Sequence, residues 1–242
     1  MLKKMVEDFL GLLYPKRCPI CEKIVIPKDK RICEECYENL KLIHEPRCKK
    51  CSKPISNAET EYCYDCQKRE FHYEKGYALW VYDSAMRKSI AAFKYKNRVE
   101  NGAFYVEELL KYYYDKIIKL NVDGIIPIPI HKSKRRQRGY NQASIIAQGI
   151  ADAIHIPLYD DVLLRVVNTL PQKELNNRQR FYNLKHAFAA AHIAEYHLEG
   201  KSILLVDDIY TTGSTIEACS IILKQAGVKN VYFISLCIGK GY

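Results

Sequence analysis

The chain has 242 residues, 48% of them hydrophobic, which suits one large or two modest globular domains with a full core. Its formal charge of +10 at pH 7 points to anionic partners: phosphates, nucleic acid or a membrane surface. No apolar run approaches the ~20 residues needed to span a bilayer, and no leader pattern opens the chain, so no transmembrane segment and a cytoplasmic location are expected.

Residues 1–17 are expected to form an N-terminal helix. Leu2, Met5, Val6, Phe9, Leu10 and Leu13 recur at helical spacing and Pro15 ends the pattern. Residues 18–66 hold an internal repeat of four C-x-x-C pairs: Cys18/Cys21, Cys33/Cys36, Cys48/Cys51 and Cys63/Cys66. The period is 15 residues. Each pair can supply two thiolates to a tetrahedral metal, so four pairs make two closed zinc sites. Equal spacing leaves the pairing open. The flanks favour a duplicated ribbon, because C-P-I-C-E-K-I resembles C-K-K-C-S-K-P-I and I-C-E-E-C resembles Y-C-Y-D-C. Cys18, Cys21, Cys33 and Cys36 would then hold one structural Zn(2+), and Cys48, Cys51, Cys63 and Cys66 the other.

The metal also changes the charge argument. Residues 1–70 carry 15 Lys+Arg and 12 Asp+Glu. Eight thiolates and two zinc ions convert that small excess into a slight negative charge. The cysteine module is therefore not a basic patch.

Residues 67–76 read as a polar linker, and residues 77–242 as an α/β domain. Tyr77–Tyr82 is expected as a strand, with Trp80 in the core. Asp83 or Ser84 caps a helix through Phe93, followed by Lys94, Tyr95 and Lys96. Gly102–Leu120 is a second helix, and Ile125–Ile130 a short strand. Residues 131–142, H-K-S-K-R-R-Q-R-G-Y-N-Q, then form a basic loop leading to a helix that Asn141 caps. Three readings compete for it: a solvated loop, a nucleic-acid contact and an anion cradle. The cradle is preferred, with Arg135, Arg136 and Arg138 as its candidate anion ligands. Residues 162–167 are a strand. Asn168–Asn183 is either a surface loop or a lid, and a short strand over Ala187–Ala191 follows.

The most informative stretch is Ile203–Thr215, I-L-L-V-D-D-I-Y-T-T-G-S-T. A buried strand is expected to end in two carboxylates, Asp207 and Asp208. A hydroxyl-rich turn follows, Thr211, Thr212, Gly213, Ser214 and Thr215, and then a helix start. Such a turn presents backbone N–H groups to an anion, and the two acids can accept from a sugar diol or sit near Mg(2+). Val231–Ile238 is expected to close the sheet, with Cys219 and Cys237 as packed hydrophobes.

Residues 206–215 resemble the signature of type I phosphoribosyltransferases for phosphoribosyl pyrophosphate (PRPP). The resemblance implies that Asp207 and Asp208 are catalytic, holding the ribose and stabilising positive charge at C1. It also implies that Thr211–Thr215 bind the 5′-phosphate, that Arg135, Arg136 and Arg138 bind the pyrophosphate, and that Mg(2+) arrives with PRPP. In purine-salvage members a carboxylate occupies the position of Thr211, so a purine acceptor is not implied here.

The wider order of motifs resembles the ComF family of competence proteins: cysteine knuckles, F-K-Y-K, I-P-I-P-I, R-G-Y-N-Q-A, L-R with R-x-x-N-L, then V-D-D-I-Y-T-T-G-S-T. What that resemblance implies is an α/β, type I phosphoribosyltransferase-like domain with a mostly parallel sheet flanked by helices, preceded by a small Cys-rich double zinc ribbon. It further implies support of DNA uptake in natural transformation, with single-stranded DNA and the competence machinery as partners. The alternative is a non-catalytic module on the same fold that senses PRPP or binds single-stranded DNA.

Overall fold

The computed structural model describes residues 15–167 and 187–239. The expected helix over residues 2–13 and the segment 168–183 lie outside the described residues.

A four-stranded sheet organises the second part of the chain. Its strands are β1 (Lys75–Val81), β2 (Gly124–Pro127), β5 (Ser202–Tyr210) and β6 (Asn230–Ile238), in the order β1-β6-β5-β2. All three pairings are parallel. Parallel strands covered on both faces read as unbroken apolar runs, and Ile203–Val206 is fully buried. Helices α3 (Ser84–Tyr95), α4 (Asn101–Lys119) and α6 (Gln142–Ile154) share a core with Leu204, Val206, Ile234 and Leu236. Helix α7 (Ser214–Gln225) shares a second core with Ile203, Leu205, Val231 and Phe233. A small antiparallel pair, β3 (Leu163–Arg165) with β4 (Phe188–Ala190), contributes Leu163 and Phe188 to that second core.

Local chemistry explains the helix starts. Asp83, rather than Ser84, caps α3, accepting from the Ala85 and Met86 amides at 3.0 and 3.1 Å. Asn141 caps α6 by accepting from Ala143 N. Trp80 is buried in a stack on Phe104, as its expected core role requires. In the Tyr112–Tyr114 run only Tyr113 is buried.

Two expectations need correction. The segment expected to be a basic loop is a short helix, α5 (Lys132–Arg138). His131 caps it by accepting from Ser133 N, and Gly139 ends it at φ 81°. Strand β5 does not end at the two acids but runs on to Tyr210. It stays paired with β6 through Asp207↔Ser235 and Tyr210↔Ile238, so both carboxylates belong to the strand. Strand β6, the last in the chain, completes the sheet between β1 and β5.

The cysteine segments lie on opposite sides of this sheet. Cys18, Val25 and Ile32 join the core of α3, α4 and α6. Arg31 Nε donates to Glu107 Oε2 on α4 at 2.7 Å, and a one-turn helix, α1 (Glu34–Glu38), brings Tyr37 Oη to Glu108 Oε2 at 3.2 Å. Cys48, Cys51 and Cys63 join the core beneath α7, together with Tyr73 from the expected linker. A second one-turn helix, α2 (Tyr64–Lys68), follows Cys63. Among the described residues no helix is long and apolar enough to cross a membrane.

Candidate functional site

The turn between β5 and α7 is built for close approach. Gly213 has φ +77°, and a Cβ there would lie 2.3 Å from the Tyr210 hydroxyl. Only glycine satisfies both the conformation and the space. Thr212 Oγ1 and Ser214 Oγ are 2.9 Å apart, one donating to the other. Helix α7 starts at Ser214, and its first intrahelical bond runs from Glu217 N to Gly213 O at 2.8 Å. The turn thus sits at the positive end of a 12-residue helix, which favours an anion.

The two carboxylates differ. Asp208 is buried and pairs with Lys94 Nζ at 2.6 Å. Burial works against the Lys94 charge, but Asp208 and then Asp207 outweigh it and hold the lysine above its ordinary pKa. Asp207 Oδ1 accepts from the Asp208 amide at 2.8 Å. Burial, and after it the Asp208 charge, pushes the Asp207 carboxyl up to about 7, with Lys94 opposing.

Lys94, which touches Asp208, belongs to a group of mutually close cations from separate elements. Lys94 comes from the last turn of α3, Lys134 and Arg138 from α5, and Arg165 from β3. Their proximity registers in their titration. Burial, and then Arg165, Arg138 and Lys94, depress the Lys134 pKa. Burial depresses that of Arg165, while the Asp207 charge acts in the opposite sense. Of the three expected pyrophosphate ligands, Arg138 belongs to this group. Arg135 and Arg136 are exposed on α5 and make no salt bridge among the described residues. Sequence reading missed Lys94, Lys134 and Arg165 as site residues. The F-K-Y-K and L-R motifs contain two of them, but motif order does not reveal which charges converge.

Behind the turn, Tyr210 stacks on Phe233 with centroids 4.8 Å apart, and Tyr73 meets the same ring edge-on at 4.9 Å. The Tyr73 and Tyr210 hydroxyls are 2.8 Å apart. Next to Tyr73, the His72 amide donates to Glu217 Oε2 at 2.8 Å and His72 Nδ1 lies 2.5 Å from Glu217 Oε1. The segment following Cys66 is thus fastened to the first turn of α7.

The cysteines form two sets of four, Cys18/Cys21/Cys33/Cys36 and Cys48/Cys51/Cys63/Cys66, with Sγ atoms within 4.8 Å of one another in each. The grouping matches the duplicated-ribbon pairing. Sγ separations of 3.7 Å (Cys21–Cys33), 3.6 Å (Cys18–Cys33) and 3.6 Å (Cys51–Cys63) span both sets. Tetrahedral Zn–S bonds of about 2.3 Å place sulfurs about 3.8 Å apart, whereas a disulfide needs about 2.05 Å. The donor set therefore fits two structural zinc ions. Sulfur fills all four positions in each set, which leaves none for catalysis.

The same division is found by comparison with known proteins. Residues 9–67 match the family described as Double zinc ribbon domain, and residues 140–241 match Phosphoribosyl transferase domain. The α/β part therefore has a phosphoribosyltransferase-like fold, with a mostly parallel sheet and flanking helices. Competence protein F of Haemophilus influenzae is 28% identical over 179 residues, covering 69% of this chain and 74% of that protein. Competence protein ComFC of Bacillus subtilis is 27% identical over 158 residues, 62% of this chain and 58% of its own. DNA utilization protein YhgH of Escherichia coli O157:H7 is 31% identical over 115 residues, 48% and 49% of the two chains. The chain spans about half the length of YhgH. It is a homologue of the ComF-type competence proteins, with a double zinc ribbon ahead of the phosphoribosyltransferase domain.

Proposed function

We propose that this protein binds PRPP at Asp207–Thr215 and acts on it in the cytoplasm in support of DNA uptake. The observation that carries the reading is the opposition of two carboxylates and four cations beside a helix-capped turn. The 5′-phosphate suits the amides and hydroxyls of Thr211, Thr212, Gly213, Ser214 and Thr215. The ribose diol suits Asp207 and Asp208 as acceptors, and these charges would stabilise a cationic C1 in the transition state. Arg138 and Lys134, with Lys94, suit the pyrophosphate. Lys94 Nζ occupies an oxygen of Asp208. A diol binding there would free the lysine to turn toward the leaving group.

Magnesium fits this site only together with PRPP. Among the described residues the sets of three or more potential metal ligands are the two cysteine sets. Asp207 and Asp208 would hold Mg(2+) alongside PRPP oxygens and water, and the ion would neutralise pyrophosphate charge. The names of the relatives support the DNA-uptake part of the reading. The proposed division is a zinc ribbon over residues 18–66, a linker over 67–76 whose last two residues already belong to β1, and the transferase-like domain over 77–242; the N-terminal helix expected over 1–17 falls largely outside the described residues, and Arg17 pairs with Ile24 instead of continuing a helix.

Calorimetric titration with PRPP and magnesium, followed by assay of released pyrophosphate, tests this. Saturable heat and slow pyrophosphate release are expected. No heat and no release over hours would overturn the catalytic reading. The exposed Lys132, Arg135 and Arg136 of α5 favour a second reading, contact with the phosphates of single-stranded DNA. There the salt dependence of oligonucleotide binding should flatten when Lys132, Lys134, Arg135 and Arg136 are replaced by Ala. An unchanged slope would move the contact elsewhere.

A further inference from the structure

A second group of cations lies where the segment between the two cysteine sets meets α4 and β1. Tyr77 on β1 and Tyr113 on α4 lie with ring centroids 5.1 Å apart. Three cations share these two rings. Lys75 Nζ is 5.6 Å from the Tyr77 centroid. Lys116 Nζ is 6.0 Å from Tyr77 and 5.1 Å from Tyr113, and the Arg47 guanidinium carbon is 5.9 Å from Tyr113. A tyrosine face attracts a cation, but neither ring carries a charge that cancels the repulsion between its occupants. Among the described residues, the one carboxylate paired with any of the three is the exposed Glu45, which accepts from Arg47 Nε at 2.7 Å. The crowding registers at Lys116. Burial, and then the charges of Arg47 and Lys75, hold its pKa below the ordinary value, with Glu45 opposing. Arg47 is fixed in place, because its Nη1 donates to Tyr113 Oη at 2.8 Å and that hydroxyl donates to Ala78 O at 2.6 Å. Its Nη2 makes no hydrogen bond to the described residues.

These cations border a cavity of about 250 Å³. Arg47 and Lys116 line it on the charged side, together with Glu45, and Leu42, Ile43, Leu79 and Tyr112 give it apolar walls. It shares no residue with the group around Asp207. Its strand, β1, is an edge of the sheet, separated from β5 by β6 and so by about 10 Å. We infer that this cavity is a second anion site, for a carboxylate or a phosphate monoester carried on a small apolar body such as an aromatic ring. Arg47 Nη2 and Lys116 Nζ would take the anionic group, which would relieve the repulsion among the three cations. The apolar walls would take the body, the usual division of labour in a ligand cavity. The inference stands on these residues and does not depend on the PRPP reading.

The test is equilibrium titration of the full zinc-loaded chain at low salt with phenyl phosphate, benzoate and inorganic phosphate, each with and without PRPP and magnesium. Phenyl phosphate or benzoate should bind whether or not PRPP is present, and about fivefold tighter than inorganic phosphate because the ring fills the apolar walls. Lys116 is exposed on α4, so replacing it leaves the core intact. Lys116→Gln should weaken the bound probe by about tenfold, and Lys116→Arg should retain it within about threefold. Lys119, exposed on the same helix and outside the cavity, is the control, and Lys119→Gln should bind as wild type does. If the chain fails to bind PRPP, the PRPP reading falls, and the comparison of Lys116→Gln with Lys119→Gln still decides this site. The site is overturned if PRPP displaces the probes, if the two Gln variants bind alike, or if no probe binds. An oligothymidylate that binds through Lys116 where the small probes do not would give these cations to a nucleic-acid strand and would also overturn the assignment.

Discussion

The hydroxyls of Tyr73 and Tyr210 meet at 2.8 Å in the core, joining the segment after the second cysteine set to the strand that carries both acids. Tyr210 also fills the space beneath Gly213. One pair of phenols therefore connects a metal-ligand segment to the turn proposed to hold phosphate.

Removing one hydroxyl should strand the other. Tyr210→Phe is expected to cost about 1–3 kcal/mol, the penalty of an unpaired buried polar group. The double variant Tyr73→Phe/Tyr210→Phe should cost less than the sum of the single changes. Chemical denaturation of the four proteins completes the cycle. Strict additivity would mean the two hydroxyls do not interact.

Gly213→Ala should damage binding more than folding. The new methyl meets the Tyr210 hydroxyl at 2.3 Å in a backbone conformation that alanine disfavours, so the turn must shift. PRPP titration should lose at least tenfold in affinity, about 1.4 kcal/mol. Wild-type affinity in the alanine variant would remove the turn from the site.

Lys94→Met leaves Asp208 buried without its cation. Breaking such a pair costs about 3 kcal/mol at the low end, which applies because both side chains retain some exposure. Adding Asp208→Asn should restore much of the stability without restoring PRPP binding. Thermal unfolding and calorimetry separate the two effects.

Asp207 gives a pH signature. Its carboxyl is raised from 3.8 to about 7 in the folded chain, by burial first and then by Asp208. The unfolded state therefore gives up this proton before the folded state does. Stability from this group is full below pH about 4, falls as pH rises toward 7, and then levels. Asp207→Asn should flatten that decline in a series of denaturation curves. Affinity for PRPP with magnesium should move the other way, rising through pH 7 as Asp207 ionises, and the Asn variant should lose the Asp207 part of the rise.

Elemental analysis should find two zinc ions per chain. The first set should yield its metal to chelator sooner, because Cys21 is exposed and Cys33 and Cys36 are half-buried, whereas Cys48 and Cys51 are fully buried. Cys63→Ser should then lower PRPP affinity more than Cys33→Ser, since only the second set shares its core with Tyr210. Equal effects would argue against transmission through Tyr73.

The legible parts of this protein were those where the chemistry is local. Four C-x-x-C pairs and the run Asp207–Thr215 carry their meaning in adjacent residues; the fold class came with the family resemblance they carry, and the residues flanking the cysteines favoured the grouping that equal spacing left open. Helix α5 was not legible. Seven residues without an apolar stripe or an acidic first turn look like a loop, and its start depends on a histidine cap. The convergence of Lys94, Lys134, Arg138 and Arg165 was hidden for another reason. Three separate elements supply these residues, and tertiary packing alone decides which side chains of a basic stretch turn inward. The reach of β5 past its acids was likewise set by pairing with β6, a partner that Ile203–Tyr210 does not itself encode.

The position of β6 also constrains the order of events during synthesis. Strand β1 pairs with β6, and β5 joins β1 only through it. Residues 75–81 must therefore wait for residues 230–238 before their edges are satisfied. On the ribosome the cysteine segments emerge first and can take up metal locally, while a half-made sheet lacks its middle. Contacts so far apart in the chain form slowly. A nascent chain in this state exposes open strand edges, and these make it a natural client for chaperones until the last strand is inserted.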